Sequence, residues 1–124
     1  MTSGIDLHIH SVFSDGLHTP ADIVAMSRQA NLHIISITDH DTVDGIAGAL
    51  QAAENTELTV IPGLEISANA GNLEIHILGY FVDHTDPHLN AALARFGQSR
   101  LERGQEMVAK LRAMGIRLSW DRVR

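Results

Sequence analysis

The 124-residue chain reads as an α/β protein built on a mainly parallel sheet. Three observations carry that reading. Short apolar, β-branched runs alternate with longer helix-like segments, the pattern of successive βα units. A capping residue followed by proline, at Thr19-Pro20 and again at Asp86-Pro87, twice opens a helix. Histidines and carboxylates gather where the apolar runs end, the edge at which parallel α/β proteins place their working groups.

Residues 5–10 make the first strand. In Asp6-Leu7-His8-Ile9-His10 the alternation puts Asp6, His8 and His10 on one face and Ile5, Leu7 and Ile9 on the other. Two imidazoles roughly 6–7 Å apart along a strand can share one ion, and two buried histidines without a charge partner are hard to justify as packing. Residues 11–18 are polar around Asp15-Gly16 and form a loop. Residues 21–30 follow as a helix, with Ile23, Val24 and Met26 turned inward. Residues 33–38 are a buried second strand ending at Asp39-His40-Asp41, and the alanine-rich residues 43–55 are a second helix starting at or near Thr42. Residues 58–61 are a third strand, broken by Pro62-Gly63 before residues 64–67. After a turn at 69–72, residues 73–81 form a fourth strand, with Leu73, Ile75 and Ile77 opposite Glu74, His76 and Leu78. A long helix runs from Asp86 to about Met114, where Gly115 stops it. Gly97 and Gly104 weaken its continuity, and Met107, Val108, Leu111 and Met114 mark its core face. Ser119-Trp120-Asp121 opens a further helix, with Trp120 as a packing anchor. A closed (β/α) barrel takes about 250 residues, so a barrel parent makes this its first half.

The absence of cysteine excludes disulfides and thiolate metal sites, and it fits an intracellular setting. No apolar run approaches the roughly 18 residues of a membrane span. The opening Met1-Thr2-Ser3-Gly4 leads straight into a patterned strand, so no cleaved signal peptide is expected. A soluble cytoplasmic protein without a membrane partner follows. The net charge of −6 divides unevenly: residues 1–94 carry twelve acids against Arg28 alone, and residues 95–124 carry three acids against eight bases. An acidic, histidine-rich part can hold cations and a basic tail can attract phosphate, although most of the tail reads as a solvated helix.

The residues that carry chemistry are His8, His10, Asp15, His40, Glu65 and His76. Four strands deliver them toward one edge, a concentration that chance does not readily produce. Taken singly, Asp15 is also a turn residue and His76 also an ordinary core histidine; the set as a whole favours ligands. Imidazole with carboxylate and no thiolate suits Mn²⁺, Zn²⁺ or Fe²⁺ better than Mg²⁺ or Ca²⁺. Carboxylates able to bridge favour a multinuclear site, and the matching reaction class is metal-assisted phosphoester hydrolysis. Asp6 and Asp39 either orient the histidines or cap strand ends. Asp41 could do likewise or cap the second helix. His18, His33, His84 and His88 read as surface or cap residues.

Taken in order, Asp6-Leu7-His8-Ile9-His10, Ser14-Asp15-Gly16, Thr38-Asp39-His40-Asp41, Gly63-Leu64-Glu65 and His76-Ile77-Leu78-Gly79-Tyr80 resemble the motifs of the PHP (polymerase and histidinol phosphatase) family. The nearest likeness is to its small metal-dependent phosphoesterases. The resemblance implies the N-terminal half of a distorted (β/α)7 barrel over residues 1–85 and the start of a helical insertion over 86–124. It implies up to three metal ions in a complete barrel: His8, His10 and Glu65 on one, Glu65 and His76 on a second, Asp15 and His40 on a third. The implied substrates are nucleoside 3′,5′-bisphosphates or the 5′ end of short RNA, not DNA, with Arg100 and Arg103 as phosphate contacts. A sugar-phosphate such as histidinol phosphate is the alternative substrate. The family completes its metal shells with later residues, among them an Asp-x-His, yet this chain has no histidine after His88. An N-terminal fragment is therefore expected. The non-enzymatic alternative is an inactive half-barrel that binds metal weakly and exposes the edge of its fourth strand.

Overall fold

The computed structural model describes residues 4–71 and 73–123. Residues 1–3, on which the leader reading rests, Asn72 of the anticipated turn and Arg124 of the basic tail lie outside them. The elements in chain order are β1 (Gly4–Ile9), α1 (Pro20–Gln29), β2 (Leu32–Ile37), α2 (Asp44–Ala53), β3 (Thr59–Val60), β4 (Gly63–Ala70), β5 (Leu73–Tyr80) and α3 (Pro87–Ala113). A single 3₁₀ turn, Trp120–Arg122, follows.

β1, β2 and β3 pair in parallel in that order, each joined to the next through a helix. The core between this sheet and its helices is made by Ile23 and Val24 of α1, Ile35 and Ile37 of β2, Ala49 of α2, Leu58 and Val60. Each of the isoleucine, valine and leucine side chains contributes about 1.5–3 kcal/mol through burial. Thr19 caps α1 in a reciprocal box: its hydroxyl accepts from the Asp22 N–H, and the Asp22 carboxylate accepts from the Thr19 N–H. The buried face of α1 is Pro20, Ile23, Val24 and Ser27. Met26, anticipated inside, is 48% exposed because it flanks that stripe.

The mainly parallel sheet expected from the sequence ends at β3. β4 and β5 form an antiparallel hairpin, a second sheet of two strands, with Glu65 opposite Leu78 and Ser67 opposite His76. The reason is connection length: a few residues can close a hairpin, whereas a parallel pair needs a crossover of a dozen or more. Gly71 supplies the positive φ of +66° at the turn. The two sheets meet where the segment after β2 runs parallel to β4 at His40 and Glu65. A second small core, Val43, Ile46, Leu64 and Leu93, ties α2 and α3 to the hairpin. The Tyr80 hydroxyl donates to the Leu7 carbonyl at 2.9 Å, linking β5 to β1.

α3 runs unbroken through Gly97 and Gly104. At Gly104 the missing side chain makes room for Trp120, whose ring would lie 3.2 Å from an added Cβ. The anticipated core stripe of α3 is only partly buried: Val108 packs inside, while Met107 and Met114 are exposed. No helix among the described residues is long and apolar enough to cross a membrane.

Candidate metal centre

The six sequence-predicted residues converge, and Glu65 is their hub. Its carboxylate is 5% exposed. Oε2 lies 2.9 Å from His8 Nε2 and 3.1 Å from His10 Nε2, and Oε1 lies 2.8 Å from His76 Nδ1. Asp15 approaches from the β1–α1 loop, with Oδ1 3.1 Å from His10 Nδ1 and Oδ2 3.7 Å from His40 Nε2. The four imidazoles lie side by side, with neighbouring ring centres 5.0, 4.6 and 4.9 Å apart. His8 is half exposed rather than buried, and both His8 and His10 face a carboxylate.

Local structure explains this convergence. His10 follows the last residue of β1, on the face opposite Ile9, which packs against the helices. The loop that brings Asp15 back is tight: a Cβ on Gly16 would fall 2.1 Å from the His10 carbonyl oxygen. Asp39 is buried and accepts from Ser11 N, Ser11 Oγ and Ser14 Oγ, each at 2.6 Å. Ser14 Oγ in turn lies 3.4 Å from His10 Nδ1, so Asp39 reaches His10 through a serine. Asp6 accepts from the His8 backbone N–H, not from a ring.

Burial pushes the Glu65 carboxyl up, but hydrogen bonds with His8 and His76 and the nearby His40 outweigh it and hold it below the usual glutamate value. The bond to Glu65 lifts His76 above the ordinary imidazole range, against some desolvation and with help from Glu74. Glu65 is thus an anion under ordinary conditions.

Three groups bring donor atoms within 4.8 Å of one another: His8, His10 and Glu65; His10, Asp15 and His40; His40, Glu65 and His76. Among the described residues, the buried His40 Nδ1 has no hydrogen-bond partner. It lies 3.8 Å from Glu65 Oε2, too far for a hydrogen bond; a buried ring nitrogen without one is costly, and a cation satisfies it. Nitrogen and carboxylate donors without sulfur fit a borderline divalent ion. The residues therefore fit a metal.

Arg100 and Arg103 reach the same region from α3. Together with Phe13, Ser14, Asp15, His40, Ser67, Glu74 and His76 they line a cavity of about 420 Å³. Arg100 Nη2 bonds Asp41 Oδ2 and Ser67 Oγ. Among the described residues, Arg103 has no hydrogen bond or ion pair. Sequence reasoning assigns no role to Ser11, Ser14, Ser67 or Tyr80, although Ser14 and Tyr80 lie inside the ordered motifs; Asp41, next to His40, reads as a residue that orients a histidine or caps the second helix.

The PHP domain profile matches residues 6–115. The chain belongs to the PHP family. Among PHP relatives it is 36% identical over 119 residues to the 3′,5′-nucleoside bisphosphate phosphatase of Chromobacterium violaceum, covering 96% of this chain and 42% of that protein. It is also 36% identical over 121 residues to a 5′-3′ exoribonuclease of Haemophilus influenzae, covering 98% of this chain and 44% of that one. Among solved structures it superposes with a TM-score of 0.85 and 35% identity on a metal-dependent phosphoesterase of Bifidobacterium adolescentis, covering 98% of this chain and 42% of that one. The chain thus spans about two-fifths of the length of these PHP relatives, and its mixed α/β architecture matches that of the solved phosphoesterase over that span.

Proposed function

We propose that this chain supplies the N-terminal ligand set of a PHP metal-dependent phosphoesterase acting on nucleoside 3′,5′-bisphosphates or on RNA 5′ ends. The carrying observation is the Glu65 carboxylate, held between His8 and His10 on one oxygen and His76 on the other, beside a buried His40 nitrogen that makes no hydrogen bond among the described residues. The relatives' names, a bisphosphate phosphatase and an exoribonuclease, support the substrate class.

In this reading His8, His10 and Glu65 hold one ion, Glu65 and His76 a second, and Asp15 and His40 a third, with Mn²⁺, Zn²⁺ or Fe²⁺ suiting the donors. Such ions, when bound, acidify a coordinated water and neutralise phosphoryl oxygens. The chain's own residues do the rest. Glu65 stays ionised at neutral pH and offers an oxygen to either side. Arg103, and the Arg100 nitrogens that Asp41 does not occupy, place positive charge on the cavity wall where a phosphate would sit. Residues 1–85 are read as the N-terminal half of the barrel and 86–124 as the start of a helical insertion that covers the mouth.

The test is metal content and phosphate release on the purified chain and on a full-length relative carrying the same substitutions. His8→Ala with His10→Ala is expected to remove bound metal and reduce turnover at least 100-fold. Full metal-dependent activity in that double variant would sink the proposal. Faster turnover of histidinol phosphate than of a nucleoside bisphosphate would move the substrate class to sugar phosphates. Substoichiometric metal, no turnover and self-association by the 124-residue chain alone would favour an inactive half-barrel.

A further inference from the structure

Asp41 is unusual in two respects. It is a non-glycine residue at φ +52°, a conformation unfavourable to an L side chain, and it is buried, where a bare charge is disfavoured. Its surroundings account for both. At the parallel bridge between His40 and Glu65, the Glu65 N–H donates to the Asp39 carbonyl at 3.1 Å and the Asp41 N–H donates to the Glu65 carbonyl at 2.9 Å. A regular parallel ladder would next send the Ser67 N–H to the Asp41 carbonyl. The left-handed turn takes that carbonyl out of line, and the Ser67 N–H donates to Asp41 Oδ1 at 2.8 Å. A side chain thus replaces the main chain for one rung. The other carboxylate oxygen is held by Arg100 from α3, which also donates to Ser67 Oγ at 3.1 Å.

We propose that Asp41 and Arg100 form a positioning clamp that couples the docking of α3 to the spacing of His40 and Glu65. This rests on the reading that those two residues hold metal. Arg100 makes no hydrogen bond or ion pair with any of the six metal-type residues among the described residues; it acts through Asp41. Without Arg100 the buried carboxylate loses its counter-charge and turns toward water, the Ser67 rung opens, and β4 shifts against the segment that carries His40. The coupling is reciprocal: ligands fixed by an ion hold the rung, and the rung holds α3.

The experiment titrates Mn²⁺ and Zn²⁺ into the 124-residue chain by calorimetry and measures amide hydrogen exchange across α3 with and without the ion. In the wild-type chain, metal is expected to slow exchange in α3. Arg100→Ala is expected to weaken metal binding ten-fold or more and to abolish that slowing. Arg100→Lys keeps the charge without the planar fork and falls between, and Arg112→Ala, near the end of α3, behaves as wild type. Wild-type metal affinity in a folded Arg100→Ala chain overturns the clamp. If that variant does not fold, the wild-type exchange decides: protection of α3 that ignores metal overturns it as well. A wild-type chain that binds neither ion overturns both the clamp and the metal reading, whereas binding without coupling overturns the clamp alone.

Discussion

Glu65 sits where four imidazoles would otherwise meet one another, and its charge makes their proximity tolerable. Glu65→Gln keeps the shape and removes the charge. Calorimetry on this variant is expected to show metal affinity at least ten-fold weaker, with little change in circular dichroism. Gly16 is the second single-residue dependency. A methyl group there must displace either the His10 carbonyl or the loop that carries Asp15, so Gly16→Ala is expected to destabilise by about 1–3 kcal/mol in denaturant unfolding and to reduce bound metal. The six ligand-type residues were legible because each stands at the end of a patterned run or within an ordered motif. The roles of Ser11 and Ser14 were not, since neither a lone serine nor a motif position shows that its acceptor is Asp39, more than twenty residues away. Nor does local sequence mark an aspartate whose side chain replaces a main-chain rung.

Among the elements, α1 offers the clearest pH dependence. Hydrogen bonds from the Thr19 hydroxyl and N–H hold the Asp22 carboxyl below its usual value. The folded-state value thus lies below the unfolded one, so the cap contributes fully above pH about 4 and is lost as pH falls through the folded value. Thr19→Ala is expected to cost about 1 kcal/mol at pH 7 in urea unfolding, with the difference from wild type shrinking below pH 4. Helix and strand positions were largely legible from caps and alternation. Two kinds of feature were not. A run such as residues 73–81 alternates identically in a parallel or an antiparallel pair, so only the closeness of its partner decides direction. Apolar residues at helical spacing, such as Met107 and Met114, do not reveal whether anything covers them.

At the scale of the molecule, the two sheets are joined at His40 and Glu65, within the candidate metal centre. Ile35, fully buried between the parallel sheet and its helices, anchors the larger core; Ile35→Ala is expected to cost about 2–5 kcal/mol, read by denaturant unfolding, which is a large part of a small domain's stability. A bound ion would join β1 and the segment after β2 to the hairpin. Saturating metal at 100 times its dissociation constant is therefore expected to stabilise the chain by about 2.7 kcal/mol, seen as a raised melting temperature that a chelator reverses. The convergence of the six residues was legible as a shared strand edge, but their meeting through a hairpin was not, because Glu65 and His76 come from antiparallel neighbours.

That hairpin has a practical consequence. Glu65 and His76 face the centre only when β4 and β5 close in the observed register, with Ser67 opposite His76. A slip of one residue turns a strand's whole set of side chains to the other face. A misregistered chain would keep its composition, its mass and most of its secondary structure, yet it would lack a complete donor set. On the proposed metal reading, metal stoichiometry on purified protein is therefore a quality-control measure of correct strand pairing, obtainable batch by batch without any assay of turnover.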